Sequence, residues 1–186
     1  MIFIELESER LIYRKFKHDD FPVVFDWLGD PDNMKYRMGE PRTESEAREY
    51  LEWTISNADV EEKNRESYEF AVVLKSDGSL IGNCGFFNIP DFPEAHWTLH
   101  RNYWRRGYGT EIGKTMLRFG FDTLNFRRII AGCNARNTGS YKIMEKIGMR
   151  REAHFVKAQQ GNSALNFEWC DRFQYAILKE EWEANK

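Results

Sequence analysis

The amino-acid sequence predicts an α+β fold, an α/β sandwich built on one sheet. Three observations lead there: helical patterns occupy the early part of the chain, an Asp-Gly step joins two apolar runs near its middle, and extended and helical patterns alternate after that. With 186 residues the chain is long enough for one domain with a substantial core and short for two, so residues 1–186 are read as a single domain.

Taken in order, Arg10 to Phe16 alternates loosely and reads as a strand. His18-Asp19-Asp20 follows, and its carboxylates suit the cap of a helix carrying Val23, Val24, Trp27 and Leu28. Asp30-Pro31 is expected to end that helix, because proline lacks the amide donor and pushes the preceding residue out of helical geometry. Thr43-Glu44-Ser45-Glu46 has the form of a capping box, opening a helix with Ala47, Tyr50, Leu51 and Ile55 on one side. Tyr68 to Lys75 and Leu80 to Phe87 flank Ser76-Asp77-Gly78-Ser79, a strong hairpin signal. A further extended run, Ala95 to Leu99, leads into a glycine-bearing segment. Ile112, Met116, Leu117, Phe121 and Leu124 then mark a helix from Thr110 to Leu124. Arg128 to Cys133 reads as a buried strand, and Ser140 to Ile147 as a short helix closed by Gly148. Strands are expected near Arg151 to Lys157 and Arg172 to Leu178.

Composition narrows the function classes. Lys and Arg number 27 against 30 Asp and Glu, so no overall field draws the protein onto nucleic acid or anionic lipid. The cysteines Cys84, Cys133 and Cys170 are odd in number and far apart, which argues against a disulfide framework or a zinc site. His18, His96, His100 and His154 show no ligand spacing, and no metal is expected. No apolar stretch approaches the roughly 20 residues that span a bilayer. The N-terminus, acidic after Ile4, has no signal-peptide character, so the expected location is cytoplasmic.

The chemistry concentrates in Trp104 to Glu111, WRRGYGTE. Gly107 and Gly109 allow close backbone approach to a ligand, and the helix that follows presents unpaired N–H groups and the positive end of its dipole, a combination suited to phosphate. Arg105 and Arg106 add long-range attraction or are simply solvated. The segment lacks the Lys-Ser/Thr of a P-loop, and Ile112 stands where a dinucleotide-binding fingerprint needs its third glycine, so neither ATP nor NAD is indicated.

That run resembles motif A of the GCN5-related N-acetyltransferases, the GNAT superfamily, whose usual form is Gln/Arg-x-x-Gly-x-Gly/Ala before a long helix. Trp104 occupies the first position, a departure that is typical of the branch resembling the RimJ/RimL ribosomal-protein N-terminal acetyltransferases. Matches to that branch span nearly the whole chain: Ser8-Glu9-Arg10-Leu11, Asp19-Asp20, Trp27-Leu28, Asp30-Pro31, Leu80-Ile81-Gly82, Arg127-Arg128-Ile129, Asn137-x-x-Ser140, Glu145-Lys146-Ile147-Gly148-Met149 and Glu181-Trp182.

The resemblance implies a mixed sheet of about seven strands with helices on both faces, in which two parallel strands, Ala95–Leu99 and Arg128–Cys133, splay apart around the pantetheine arm of acetyl-CoA. It assigns Trp97, Thr98 and Leu99 to backbone contact with that arm, the Leu99 N–H to the thioester carbonyl, and Arg105, Arg106, Gly107, Tyr108, Gly109 and Thr110 to the pyrophosphate. Asn137 is implied as a hydrogen-bonding partner of the cofactor arm, though an Asn here also suits a helix cap. Glu94 aligns with the family's general base, with His96 and His100 as rivals. The usual acid, a tyrosine, is replaced by Met144. Ser140 is the next candidate, or else a cap, and Tyr141 points elsewhere on the helix. The expected partners are acetyl-CoA and a primary amine, either a peptide N-terminus or a small molecule. Nucleic acid and membrane are not expected, and a homodimer is allowed. A non-catalytic acyl-CoA-binding module is the alternative reading.

Overall fold

The computed structural model describes residues 4–61, 64–89 and 91–184. Among them, eight strands form one sheet: β1 (Leu6–Glu7), β2 (Leu11–Arg14), β3 (Tyr68–Leu74), β4 (Leu80–Phe87), β5 (Glu94–Leu99), β6 (Arg128–Asn134), β7 (Arg150–Gln160) and β8 (Trp169–Leu178), in the spatial order β1-β2-β3-β4-β5-β6-β8-β7. The helices are α1 (Phe21–Leu28), α2 (Pro31–Met34), α3 (Glu44–Asn57), α4 (Tyr108–Arg118), α5 (Thr138–Lys146) and α6 (Lys179–Ala184). The strand beyond the expected seven is β1, a two-residue edge paired to β2. No helix among the described residues is long and apolar enough to cross a membrane.

Both faces of the sheet are covered, and β3 makes this plain. Phe70 and Val72 join a core with Ile112, Met116 and Leu117 of α4, whereas Ala71 and Val73 join a second core with Val24, Trp27, Ala47 and Leu51 of α1 and α3. Strands buried on both faces read as continuous apolar runs, which is why β3 and β4 are so conspicuous in the sequence. The Asp77-Gly78 turn joins them as expected, with Gly78 at φ +75°.

Local signals were read correctly at α3, where Thr43 and Glu46 exchange the two bonds of a capping box. Three others come out differently. Asp20 does not cap α1; its carboxylate binds Arg14 at 2.8 Å through both oxygens and accepts from the Lys17 amide. Pro31 does not end α1, which stops at Leu28. It opens α2 instead, where a missing amide costs nothing, and Asp30 caps that turn by accepting from the Asp32 amide. The helix expected from Thr110 to Leu124 begins at Tyr108, and its last turn, Phe119–Thr123, widens into a π-helix.

One feature of the sheet positions the site. β5 pairs with β4 from Glu94 to Leu99, and β6 pairs with β8 from Arg128 to Asn134. Between β5 and β6, however, the parallel ladder holds only at Glu94 and Ile130, with the Ile130 amide donating to the Pro93 carbonyl at 3.0 Å. Past that point the two strands separate, as expected.

Candidate active site

The opening between β5 and β6 is lined by unpaired backbone. The His100 amide donates to Ile81 on β4, and successive residues of a strand alternate in direction, so Thr98 also faces β4 while Trp97 and Leu99 face the opening. The close approach of the Thr98 carbonyl to β4 agrees, since a Cβ on Gly82 would lie 2.1 Å from its oxygen. Of the three residues expected to contact a cofactor through backbone, Thr98 is therefore turned away. Its side chain instead takes a hydrogen bond from Arg37.

At the end of β5 the chain turns through Arg101–Tyr103, and the Trp104 indole donates to the Leu99 carbonyl at 2.7 Å, tying the loop back to the strand. This contact accounts physically for tryptophan at a position where the motif usually has Gln or Arg. Arg105 and Gly107 both adopt left-handed backbone, at φ +60° and +84°. Gly107 is the N-cap of α4, and no side chain caps this helix, so the amides of Tyr108, Gly109 and Thr110 have no acceptor within it. Arg105 and Arg106 are exposed beside them. Gly109 also meets a packing demand that the sequence did not reveal: a Cβ there would meet Ile143 of α5 at 2.5 Å, so its smallness serves α4–α5 packing while its amide stays at the uncapped helix start.

The N-terminal Ser8-Glu9-Arg10 segment clamps this loop, a contact invisible to local sequence patterns. Glu111 accepts from the Ser8 hydroxyl at 2.7 Å, the Arg10 amide at 2.8 Å and Arg10 Nε at 2.7 Å. Arg10 also donates to the Arg106 carbonyl at 3.1 Å and stacks over the Tyr108 ring. Burial works against ionisation of Glu111, but these three donors outweigh it and hold its carboxyl below the usual glutamate range. A depressed folded-state pKa contributes stability above the unfolded value of about 4.3 and loses it as pH falls through the folded value. Glu111→Gln is accordingly expected to lower the melting temperature at pH 7, with the gap to the parent closing below about pH 4; a gap independent of pH would refute the ionic role.

Across the opening, β6 ends at Asn134 and α5 begins at Thr138. Asn137 caps α5 by accepting from the Ser140 amide at 3.1 Å, which leaves its Nδ2 uncommitted. Ser140 is thus the capped residue and not the cap, and its hydroxyl lies against the Cys133 thiol. Burial pushes that thiol up to about 11, against smaller opposing effects of Ser140 and Arg172, so Cys133 is protonated at neutral pH and unsuited to act as an acyl-carrying nucleophile. Met144, at the position of the family's tyrosine, is buried in the core, and Tyr141 packs edge-on against Phe173.

The opposite face of β5 is polar. Glu94, His96 and Thr98 all project toward the α1–α3 layer. Glu94 stands where β5 and β6 are still paired, and Arg172 of β8 reaches across β6 to it at 2.8 Å. The guanidinium lies flat over Gly132, where a Cβ would come within 2.4 Å of it. His96 lies in the corresponding trough over Gly85, with Nε2 3.1 Å from Glu69 on β3. His100 is set apart: Nδ1 accepts from the Asn102 amide, so Nε2 donates to Asp26 at 2.6 Å, and both nitrogens are committed. The segment after α2 closes over this face. Arg37 binds Thr98, the Tyr36 carbonyl accepts from Gln159, and Asn162 donates to the carbonyls of Met34 and Gly39. Trp27 is buried core, Trp53 packs beside Tyr50, and Phe92 is exposed. No metal-binding group of three or more His, Cys, Asp or Glu occurs among the described residues.

Known proteins share this architecture and sequence. A family model described as an acetyltransferase (GNAT) domain matches residues 10–150. The uncharacterised N-acetyltransferase YnaD of Bacillus subtilis (strain 168) is 34% identical over 182 residues, covering 96% of this chain and 99% of the relative. Among solved structures, spermidine N-acetyltransferase from Vibrio cholerae, in complex with CoA and spermine, superposes with a TM-score of 0.79 at 19% identity, over 95% of this chain and 99% of that one. Ribosomal-protein-S5-alanine acetyltransferase from Vibrio fischeri gives a TM-score of 0.79 at 18% identity, over 96% and 98%. A splayed parallel strand pair, an uncapped glycine turn opening α4, and a family match over most of the chain lead to one conclusion: this protein belongs to the GNAT acetyltransferases.

Proposed function

We propose that the protein transfers the acetyl group of acetyl-CoA to a primary amine by direct attack in a ternary complex. The observation that carries this reading is the opening between β5 and β6, which runs from the Trp97 backbone and the Leu99 amide on β5 to the uncapped start of α4. Pantetheine amides pair with the strand, and the pyrophosphate rests on the amides from Arg105 to Thr110, where the helix dipole and two arginines favour negative charge. The Leu99 N–H faces the thioester carbonyl and stabilises the oxyanion that forms on attack. Asn137 Nδ2 holds the cofactor arm, and Ser140 supplies the proton that the CoA thiolate takes up. The amine's own proton leaves on the polar face of β5, which offers Glu94 and His96.

The two structural neighbours are named for spermidine and for a ribosomal-protein alanine. Both acceptors are amines, and the class proposed for this protein is correspondingly a primary amine, of a peptide N-terminus or of a small molecule. The test is calorimetric titration with acetyl-CoA, followed by thiol release in the presence of single amines. Saturable binding, with thiol release that depends on the amine and matches N-acetylated product, is expected. Absence of binding, or thiol release without acetylated amine, would overturn the reading.

A further inference from the structure

We propose that His96, backed by the buried carboxylate of Glu69, takes the proton from the attacking amine; the inference deepens the acetyl-transfer reading and rests on it. An ammonium ion has no lone pair, so the acceptor must lose a proton before or during attack. β5 offers Glu94 and His96 for this on the face away from α4. Glu94 is paired with the Arg172 guanidinium at 2.8 Å, so one of its oxygens is already engaged by a donor.

His96 is held in the opposite way. Its ring stacks on Phe87 at 4.1 Å with an interplanar angle of 8°, and it lies over Gly85, where a Cβ would come within 3.0 Å of Nε2. Nε2 lies 3.1 Å from Glu69 Oε1, close enough for charge to act between them but without the alignment of a hydrogen bond. The Glu69 side chain is 1% exposed and that of His96 is 17% exposed, so the carboxylate is sealed while the ring is reachable. Asn83 donates to the second Glu69 oxygen at 3.2 Å and to the Tyr50 hydroxyl at 2.8 Å, which fixes the carboxylate in place. Among the described residues no Lys or Arg pairs with Glu69. A buried carboxylate without a cation is costly, and the charge that compensates it is the imidazolium formed when His96 takes a proton. This is the logic of a base oriented and stabilised by a carboxylate behind it.

In the tautomer that places the ring proton on Nε2, beside Glu69, Nδ1 carries the free lone pair. The amine nitrogen forms a bond to the thioester carbon, and its proton passes to Nδ1 directly or through one water. The C–S bond breaks, the second proton of the attacking nitrogen passes through the Ser140 hydroxyl to the thiolate, leaving Ser140 protonated as it began, and amide and free CoA thiol leave. His96 then returns its proton to solvent. Two sequence features acquire a reason here: Gly85 makes room for the ring, and Glu69 interrupts the apolar run of β3.

The experiment uses acetyl-CoA with spermidine and with Ala- and Ser-starting tripeptides as probe amines. His96→Gln is expected to lower kcat by about 100-fold, the usual scale for a general base, with acetyl-CoA affinity unchanged by calorimetry. Added imidazole is expected to restore turnover of His96→Gly, which a merely structural histidine would not allow. Glu69→Gln, which keeps shape and removes charge, should lower kcat without raising the KM for acetyl-CoA; should it fail to fold, the two His96 variants decide. Parent turnover with undiminished His96→Gln turnover, or imidazole rescue absent, overturns the dyad alone. Absence of parent turnover on every amine overturns the transferase reading and the dyad with it.

Discussion

Gly107→Val is expected to weaken acetyl-CoA binding by at least about tenfold while leaving the fold intact, since left-handed backbone costs a residue bearing Cβ roughly 1–2 kcal/mol and a β-branched one more. Gly107 sits at φ +84° as the N-cap of α4, and a Cβ there would meet nothing closer than Arg10 Nη2 at 3.4 Å. The obstacle is therefore backbone conformation and not space. Relaxing it means rotating the turn that aims the Tyr108, Gly109 and Thr110 amides, so the damage falls on the anion site. Gly109→Ala supplies the contrast, because its new methyl would press on Ile143 of α5 at 2.5 Å and lower the melting temperature. Calorimetry and thermal melts of both variants separate the two roles. Equal acetyl-CoA affinity in the parent and Gly107→Val would show that this loop does not hold the cofactor.

Gly85→Ala is expected to be the most destabilising single methyl in the sheet. Its Cβ would lie 1.8 Å from the Tyr68 carbonyl oxygen and 2.8 Å from the carbonyl carbon, overlaps with backbone that no rotamer change relieves. Overpacking of this kind costs on the order of 3 kcal/mol or more, roughly 10 °C in melting temperature for a chain of this size. Gly78→Ala serves as the comparison: it too is a glycine of the β3–β4 hairpin, at φ +75°, but nothing lies within 4 Å of its Cβ, so only the turn conformation is strained. If the two variants melt together, strand spacing at Gly85 relaxes freely and its close approach is not a constraint. A Gly85→Ala protein that does fold is expected to show reduced turnover as well, since His96 occupies the same trough.

Much of the fold is legible because its signals are local. The Asp77-Gly78 turn, the Thr43–Glu46 capping box and the apolar stripe of α4 each depend on residues a few positions apart, and the order of elements follows from them. Mistakes arose where one residue type serves two local purposes. Pro31 can stop a helix or start one, and Asp20 can cap a helix or bind an arginine; which occurs depends on neighbours such as Arg14 that only folding delivers. Gly109 carries a demand of the same hidden kind, since its lack of a Cβ makes room for Ile143, a neighbour that only folding delivers.

By itself the sequence determined the α+β class, the strand leading into WRRGYGTE, and membership of the acetyltransferase family, all carried by contiguous motifs. Tertiary structure alone decided which side chains meet. Arg10 finds Glu111, Arg172 reaches Glu94, and Glu69 backs His96 only because β2, α4, β3 and β8 are brought together across the sheet order. The physical reason is register. Along a strand, a shift of one residue turns every side chain to the other face, so which polar groups share the face opposite α4 is set by pairing between distant segments and by nothing within any one of them.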